Sequence, residues 1–199
     1  SSSPPPRGVR RAWGGVMPAY HSRFNEPTRA LLSGFALLPL RTRYPGPAPA
    51  LGAGEEEDIV DEALKSFRWN IFFKSYEVEG AADKTLVYVT LWMQRCLSVA
   101  NRVSYDEAKR TLEADACSNM AGPSDNGFII GPLAVSPASA KEDEDTKAYF
   151  RQLRQETLAR LLPLMFHEEH PKQSTRRSTY VHVYTHTYIY RGCKAMGVL

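Results

Sequence analysis

The chain has 199 residues, of which 43% are hydrophobic and 11% aromatic, enough for one domain with a sizeable core. Residues 1–16 and 171–199 carry eight basic side chains and no acidic ones, which leaves residues 17–170 with 17 basic and 22 acidic side chains despite the overall charge of +3. This acidic folded region argues against nucleic-acid binding, and the lack of an apolar run of about 18 residues argues against a membrane span.

The first 50 residues are rich in proline. Residues 1–16 are predicted to be a disordered, non-native extension, because their prolines and glycines oppose any regular element, and Met17 is predicted to be the native start. A transit peptide is disfavoured, because three consecutive prolines oppose the amphipathic helix that it requires. Between Met17 and Ala50 six more prolines prevent a long helix, so this segment is predicted to be an extended arm. Its apolar side chains, Phe35 to Leu40, would anchor it on the core or on a partner.

A capped amphipathic helix is predicted after this arm. Asp58 and Asp61 lie three residues apart where the apolar periodicity begins, so their carboxylates can accept hydrogen bonds from the first-turn N–H groups. Apolar residues then recur at spacings of three and four: Val60, Ala63, Leu64, Phe67 and Ile71.

The run from Leu86 to Met93 is ambiguous. Its β-branched and aromatic residues favour a buried strand, but apolar character continues to Val99 without Gly or Pro, which favours a helix. We predict a helix, preceded by Asp83 as a possible cap. Because it is apolar on nearly all sides, it should lie at the centre of the domain with other helices around it.

Two further helices are predicted. Ser104 and Glu107 form a capping-box pattern for a short helix from Tyr105 to Ala116. After a long loop, residues 118–140, anchored by Phe128–Ile130, the acidic run 142–145 begins the last helix, where carboxylates stabilise the N-terminus. Pro163 is expected to kink or shorten the end of this helix.

Residues 171–199 form an atypical low-complexity tail. Thr179 to Tyr190 alternates with period two, as a strand does, but no second strand is predicted near it. All residue types of this run have codons of alternating purine and pyrimidine, so simple dinucleotide-repeat DNA can encode the whole run. We therefore interpret the tail as translated non-coding sequence. An uninterrupted, spliced reading frame through Tyr190 in the transcript would contradict this interpretation.

No catalytic, metal or cofactor site is predicted. The HEEH run at residues 167–170 lacks the HExxH spacing, and His182 and His186 lack a third ligand. Cys96 lies in the apolar helix, where an inert core thiol is expected. The three cysteines form no CxxC pair, so a reducing compartment is the simpler interpretation.

Four stretches resemble one known family: MPAYHS, ALLPLRTRYPGPAP, DIVDEALKSFRWNIFFKSYEVEGAADKTLVYVTLWMQRCL and KEDEDTKAYFRQLRQETLARL. They are similar to subunit 3 (the small p21-Arc subunit) of the actin-related protein 2/3 (Arp2/3) complex. The resemblance implies a non-catalytic structural subunit that supports nucleation of branched actin filaments, without a cofactor. Its partners would be the other complex subunits, chiefly the actin-related protein 3 subunit, and the actin filament, in the cytoplasm and actin cytoskeleton.

We therefore expect an all-α, multihelical single domain at residues 17–170, with a central apolar helix, an extended N-terminal arm and atypical tails. The expected core residues are Phe67, Ile71, Leu86, Tyr88, Trp92 and Leu153. The candidate partner-interface residues are Tyr20, His21, Leu40, Arg41, Tyr44 and Phe128. Two other functions remain open: a stand-alone helical adaptor that binds acidic or membrane partners through basic tails, and a small metalloenzyme that uses the tail histidines.

Overall fold

The computed structural model describes residues 20–26, 30–52, 54, 56–70, 77–118 and 121–166. In chain order these form strands β1 (Leu31–Leu32) and β2 (Phe35–Ala36), helices α1 (Ile59–Asn70), α2 (Ala81–Ala100) and α3 (Tyr105–Cys117), a short 3₁₀ helix (Gly131–Leu133) and helix α4 (Ala140–Met165). The structure is mostly helical. The predicted tail strand, the tail histidines and the predicted core residue Ile71 lie outside the described residues.

Helix α1 begins as the sequence predicts. The Asp58 carboxylate accepts hydrogen bonds from the backbone N–H groups of Val60 and Asp61, at 3.0 and 3.1 Å. The Asp61 carboxylate accepts one from the N–H of Asp58 at 3.3 Å, which completes a reciprocal cap. Val60 and Phe67 are fully buried on the inner face of the helix.

The ambiguous run from Leu86 to Met93 is helical and lies within α2. This helix contacts α1, α3, α4 and β2, and twelve of its 20 residues are buried. Backbone hydrogen bonds within the helix satisfy the buried peptide groups without a neighbouring strand, so burial overrides the local strand preference.

The arm contains a small antiparallel sheet, so the expectation of a purely helical fold is wrong in this detail. Leu31 pairs with Ala36 and Leu32 with Phe35. Ser33 and Gly34 have φ values of 47° and 82°, the left-handed conformation that a two-residue hairpin turn requires. The sequence analysis predicted only an extended arm from its prolines and missed this hairpin, although the Ser-Gly pair is a turn signal in the sequence.

Helix α3 starts at Tyr105 and ends at Cys117, one residue beyond the prediction. Ser104 occupies the N-cap position, but its side chain makes no capping hydrogen bond, so the predicted capping box is not formed. The carbonyl groups at the other end are satisfied by a buried side chain of α4, Arg154, which donates to the carbonyl oxygens of Ala116 and Ser118 at 3.2 and 2.9 Å.

Helix α4 is capped by Ser139, whose hydroxyl accepts a hydrogen bond from the N–H of Glu142 at 3.1 Å. The helix continues two residues beyond Pro163 to Met165, so the proline does not end it. The carbonyl that Pro163 cannot bond belongs to Ala159, and both residues are exposed. Water can therefore replace the missing hydrogen bond.

An aromatic cluster connects the β1–β2 hairpin, the loop between α3 and α4, and helices α2 and α4. The Phe150 ring of α4 stacks on Tyr88 of α2 at a centroid distance of 4.1 Å and meets the edge of Phe35 at 5.0 Å. Phe128 of the loop stacks on the same ring at 5.6 Å. Phe128 and Ile130 anchor the loop in the core as predicted, while Ile129 between them is exposed.

No helix in the described part of the chain is long and apolar enough to cross a membrane.

Candidate partner interface

Two buried carboxylates hold the start of the arm, residues 20–26, on the helices. Glu62 of α1 accepts hydrogen bonds from the Tyr20 hydroxyl at 2.9 Å, the Ser22 hydroxyl at 2.7 Å and the Arg23 N–H at 2.8 Å. Burial, with the nearby Glu62 carboxylate, raises the pKa of Tyr20. The arm is therefore fixed by specific hydrogen bonds as well as by apolar contacts.

Asp83 of α2 is the second anchor and is fully buried. Its carboxylate accepts the Ser22 N–H at 2.7 Å and the Asn25 side-chain amide at 2.8 Å, and it lies 2.8 Å from Nδ1 of His21. Asn25 in turn accepts hydrogen bonds from the N–H groups of Ala82 and Asp83 at 3.1 and 3.2 Å. Asn25 thus caps α2 from the arm, whereas the sequence suggested Asp83 for this role.

The second part of the arm crosses α4 as a closed loop from Leu40 to Ala50. The Leu40 N–H donates to the carbonyl of Pro49 at 2.9 Å. The buried Gln152 side chain of α4 donates to the carbonyl of Tyr44 at 2.9 Å and accepts the N–H of Ala48 at 3.0 Å. A Cβ on Gly46 would lie 2.4 Å from the Gln152 side chain, so this close approach requires glycine.

An ion-pair cluster joins this loop to α1 and α4. Arg160 contacts the carboxylates of Asp58, Asp61 and Glu156 at 2.7, 2.9 and 2.8 Å. Burial raises the pKa of Asp58, but hydrogen bonds from Arg160 and from backbone N–H groups outweigh burial and hold the pKa below its usual range. Arg41 contacts Asp61 at 3.0 Å from the exposed side of the cluster.

The candidate interface residues fall into two groups. Arg41 is exposed, and Tyr20, His21 and Tyr44 are half-buried. Leu40 and Phe128 are 2% and 9% exposed and belong to the chain's own core. Their side chains are covered by this chain and cannot present a contact surface to a partner in this conformation. An apolar residue in a loop can pack into the core of its own chain or against a partner, and the sequence around it does not distinguish the two.

Five of the six expected core residues are buried in the structure; they are Phe67, Leu86, Tyr88, Trp92 and Leu153. The indole N–H of Trp92 donates to the carbonyl of Arg154 at 3.0 Å, and Arg154 donates to the Tyr88 hydroxyl at 2.8 Å. Cys96 is fully buried, and burial raises the pKa of its thiol. Within the described ranges no group of three or more potential metal ligands occurs.

The anchoring side chains Asn25, Glu62, Gln152 and Arg154 were missed by the sequence analysis. None of the four carried a local signal, because Glu62 and Gln152 lie outside the apolar stripes of α1 and α4. Their partners are 36 to 108 residues away along the chain.

Comparison with known proteins gives the same family from a family model and from individual relatives. The family described as "P21-Arc: ARP2/3 complex ARPC3 (21 kDa) subunit" matches residues 17–178. "Actin-related protein 2/3 complex subunit 3" of Schizosaccharomyces pombe is 39% identical over 161 residues, covering 79% of this chain and 91% of the relative. The probable subunit 3 of Caenorhabditis elegans is 36% identical, covering 79% and 87% of the two chains. Subunit 3 of Saccharomyces cerevisiae is 36% identical, covering 79% and 89%.

Proposed function

The chain belongs to the P21-Arc family of Arp2/3 complex subunits, and we propose that its chief neighbour in the complex is the actin-related protein 3 subunit. The chain is a non-catalytic structural subunit that supports actin nucleation. The match to the family over residues 17–178 is the observation that carries this function. Association with the cytoplasmic actin cytoskeleton follows from membership of the complex.

The proposal extends to the organisation of the chain. We take residues 17–170 as the complex-binding domain, with α2 as its central helix, and residues 1–16 and 171–199 as appended segments. The contacts of α2 with three helices and β2 support the central position. Among the candidate interface residues, Arg41 and Tyr44 are the best supported, because the closed loop that carries them is held on α4 by Gln152 and Arg41 is exposed.

Reconstitution tests the function. The tagged full chain is co-expressed with the other subunits of the complex, purified, and added to actin polymerisation assays. We expect stoichiometric recovery of the chain with the complex and a cross-link to the actin-related protein 3 subunit. Recovery of a monomer that never associates with the complex would contradict membership. Recovery with the complex but cross-links only to other subunits would contradict the proposed chief neighbour.

A further inference from the structure

One face of the central helix is left open along its length. Most of α2 is buried, but Lys84, Val87 and Leu91 are only half-buried and Arg95 is exposed. Spacings of three and four residues place these four side chains on one side of a helix. This open side has apolar residues in its middle and a basic residue near each end.

The loop after α3 adds apolar side chains to this open side. Ile129 and Val135 are 59% and 55% exposed, which is unusual for large apolar residues of the described chain. Ile129 and Leu91 line the same cavity. At the other end, a Cβ on Gly34 would lie 2.7 Å from Val135 and 3.3 Å from the Lys84 ammonium, so these two side chains are neighbours. We call the surface formed by Lys84, Val87, Leu91, Arg95, Ile129 and Val135 the α2 groove.

The α2 groove ends in a cavity of about 320 Å³. Tyr88 and Trp92 also line this cavity, and the polar atoms of both rings are already hydrogen-bonded to Arg154. Both side chains are nearly fully buried, at 4% and 5% exposed, so they close the cavity on its inner side. The more accessible apolar side chains that line the cavity are Leu91 and Ile129. The volume is at the low end of ligand pockets, roughly 300–1,000 Å³, and suits one large apolar side chain.

The charges at the two ends define the rest of the ligand. Lys84 has no ion-pair partner within the part of the chain that the structure describes. Arg95 is paired with Asp115 at 3.0 Å, but both side chains are partly open to solvent, so the pair contributes little and can be exchanged. About 16 Å separate the two positions along a helix of 1.5 Å rise per residue. The groove thus complements an apolar segment with carboxylates towards its ends.

We propose that the α2 groove docks an amphipathic segment of a neighbouring complex subunit, with a large apolar side chain in the cavity and carboxylates opposite Lys84 and Arg95. This inference rests on the proposed function only because it takes the partner to be a subunit of the complex. Burial of the groove in the assembly would account for the exposed Ile129 and Val135, since patches of this kind mark interaction surfaces.

Three full-length variants test the groove in binding assays with the reconstituted remaining subunits. Ile129→Asp introduces a charge beside the cavity, and Lys84→Glu reverses the charge at the other end of the groove. Leu164→Asp is the matched control, because Leu164 is also an exposed apolar residue, 44% exposed, but lies near the end of α4. All three are expected to keep the parent's thermal midpoint, because none of these side chains is buried.

Both groove variants are expected to bind at least tenfold more weakly than the parent, and the control to bind like the parent. Parent-like binding of both groove variants overturns the proposal. If the parent itself fails to bind, the proposed function fails instead, so the two failures are distinguishable.

A photo-reactive residue at position 129 identifies the occupant. A cross-link to an acidic, apolar segment of another subunit supports the proposal. A cross-link to residues 167–199 of the same chain, or to a second copy, overturns it.

In the binding assay, the conservative variant Lys84→Arg keeps the positive charge and should retain parent affinity. This control shows whether Lys84→Glu weakens binding through its charge or through a change in packing.

Discussion

Replacing Asn25 with Ala removes the side chain that joins the arm to the N-terminus of α2. Three hydrogen bonds are lost: two that Asn25 accepts from the N–H groups of Ala82 and Asp83, and one that it donates to the Asp83 carboxylate. Loss of a helix cap costs about 0.5–2 kcal/mol, and loss of a hydrogen bond to a charged group about 1.5–3 kcal/mol. Because Asn25 is half-buried and water replaces part of the loss, we expect the free energy of unfolding to fall by about 2–4 kcal/mol.

Urea denaturation followed by circular dichroism measures this change, and hydrogen exchange locates it. The expected decrease corresponds to a thermal midpoint lower by about 4–16 °C for a domain of this size. Exchange of the Ser22 N–H, which bonds to Asp83 at 2.7 Å, should accelerate more than exchange in the middle of α2. Glu77→Ala, at an exposed position before the same helix, is the control and should leave stability unchanged. A loss below 0.5 kcal/mol for Asn25→Ala would refute the assignment of this residue as the cap.

Three other predictions follow from buried groups. Trp92→Ala should lower the free energy of unfolding by about 3–5 kcal/mol, because the side chain is 5% exposed; an unchanged urea midpoint would contradict its core position. The pKa of Asp58 is lowered in the folded state, so its contribution to stability is present above the unfolded value near 3.8 and is lost as the pH falls through the folded pKa. The stability difference between the parent and Asp58→Asn should therefore be largest near neutral pH and narrow below pH 3.8; a difference independent of pH would contradict this. In the native protein at pH 8, maleimide should label the exposed Cys117 and spare Cys96, as read by peptide mass spectrometry; equal labelling of the two would show that the core around Cys96 opens readily.

The helices were predictable because their evidence is local. Apolar spacing and the pair Asp58 and Asp61 are enough to locate α1, and the length of the apolar run decides between helix and strand for α2. Propensity alone would have favoured a strand for Leu86 to Met93. A strand buried at the centre of a domain needs two hydrogen-bonded neighbours, and the sequence offered no partner strands on either side of it. A helix satisfies its own backbone, which is why the apolar length was the better guide.

The arm was less predictable because its structure depends on distant side chains. Prolines oppose a long helix between Met17 and Ala50, and the described residues 20–26 and 30–50 contain none. The prolines do not reveal what holds the segment in place. Glu62 looks like an ordinary helix residue until Ser22, forty residues earlier, is placed against it. Leu40 was assigned to a partner surface for the same reason, since an apolar residue in a proline-rich segment can fill either a partner's groove or the chain's own core.

The two sides of α2 differ in what they require from a partner. On the arm side, the polar atoms of Glu62 and Asp83 have hydrogen-bond partners within this chain, so a binding subunit would have to break existing contacts to reach them. On the groove side, Ile129 and Val135 are exposed and Lys84 lacks an ion-pair partner among the described residues. Covering that side removes apolar surface from water without breaking any buried hydrogen bond, and only the exposed pair of Arg95 and Asp115 has to rearrange. The favourable free energy of assembly is therefore expected on the groove side, while the arm side supplies a surface whose shape is already fixed.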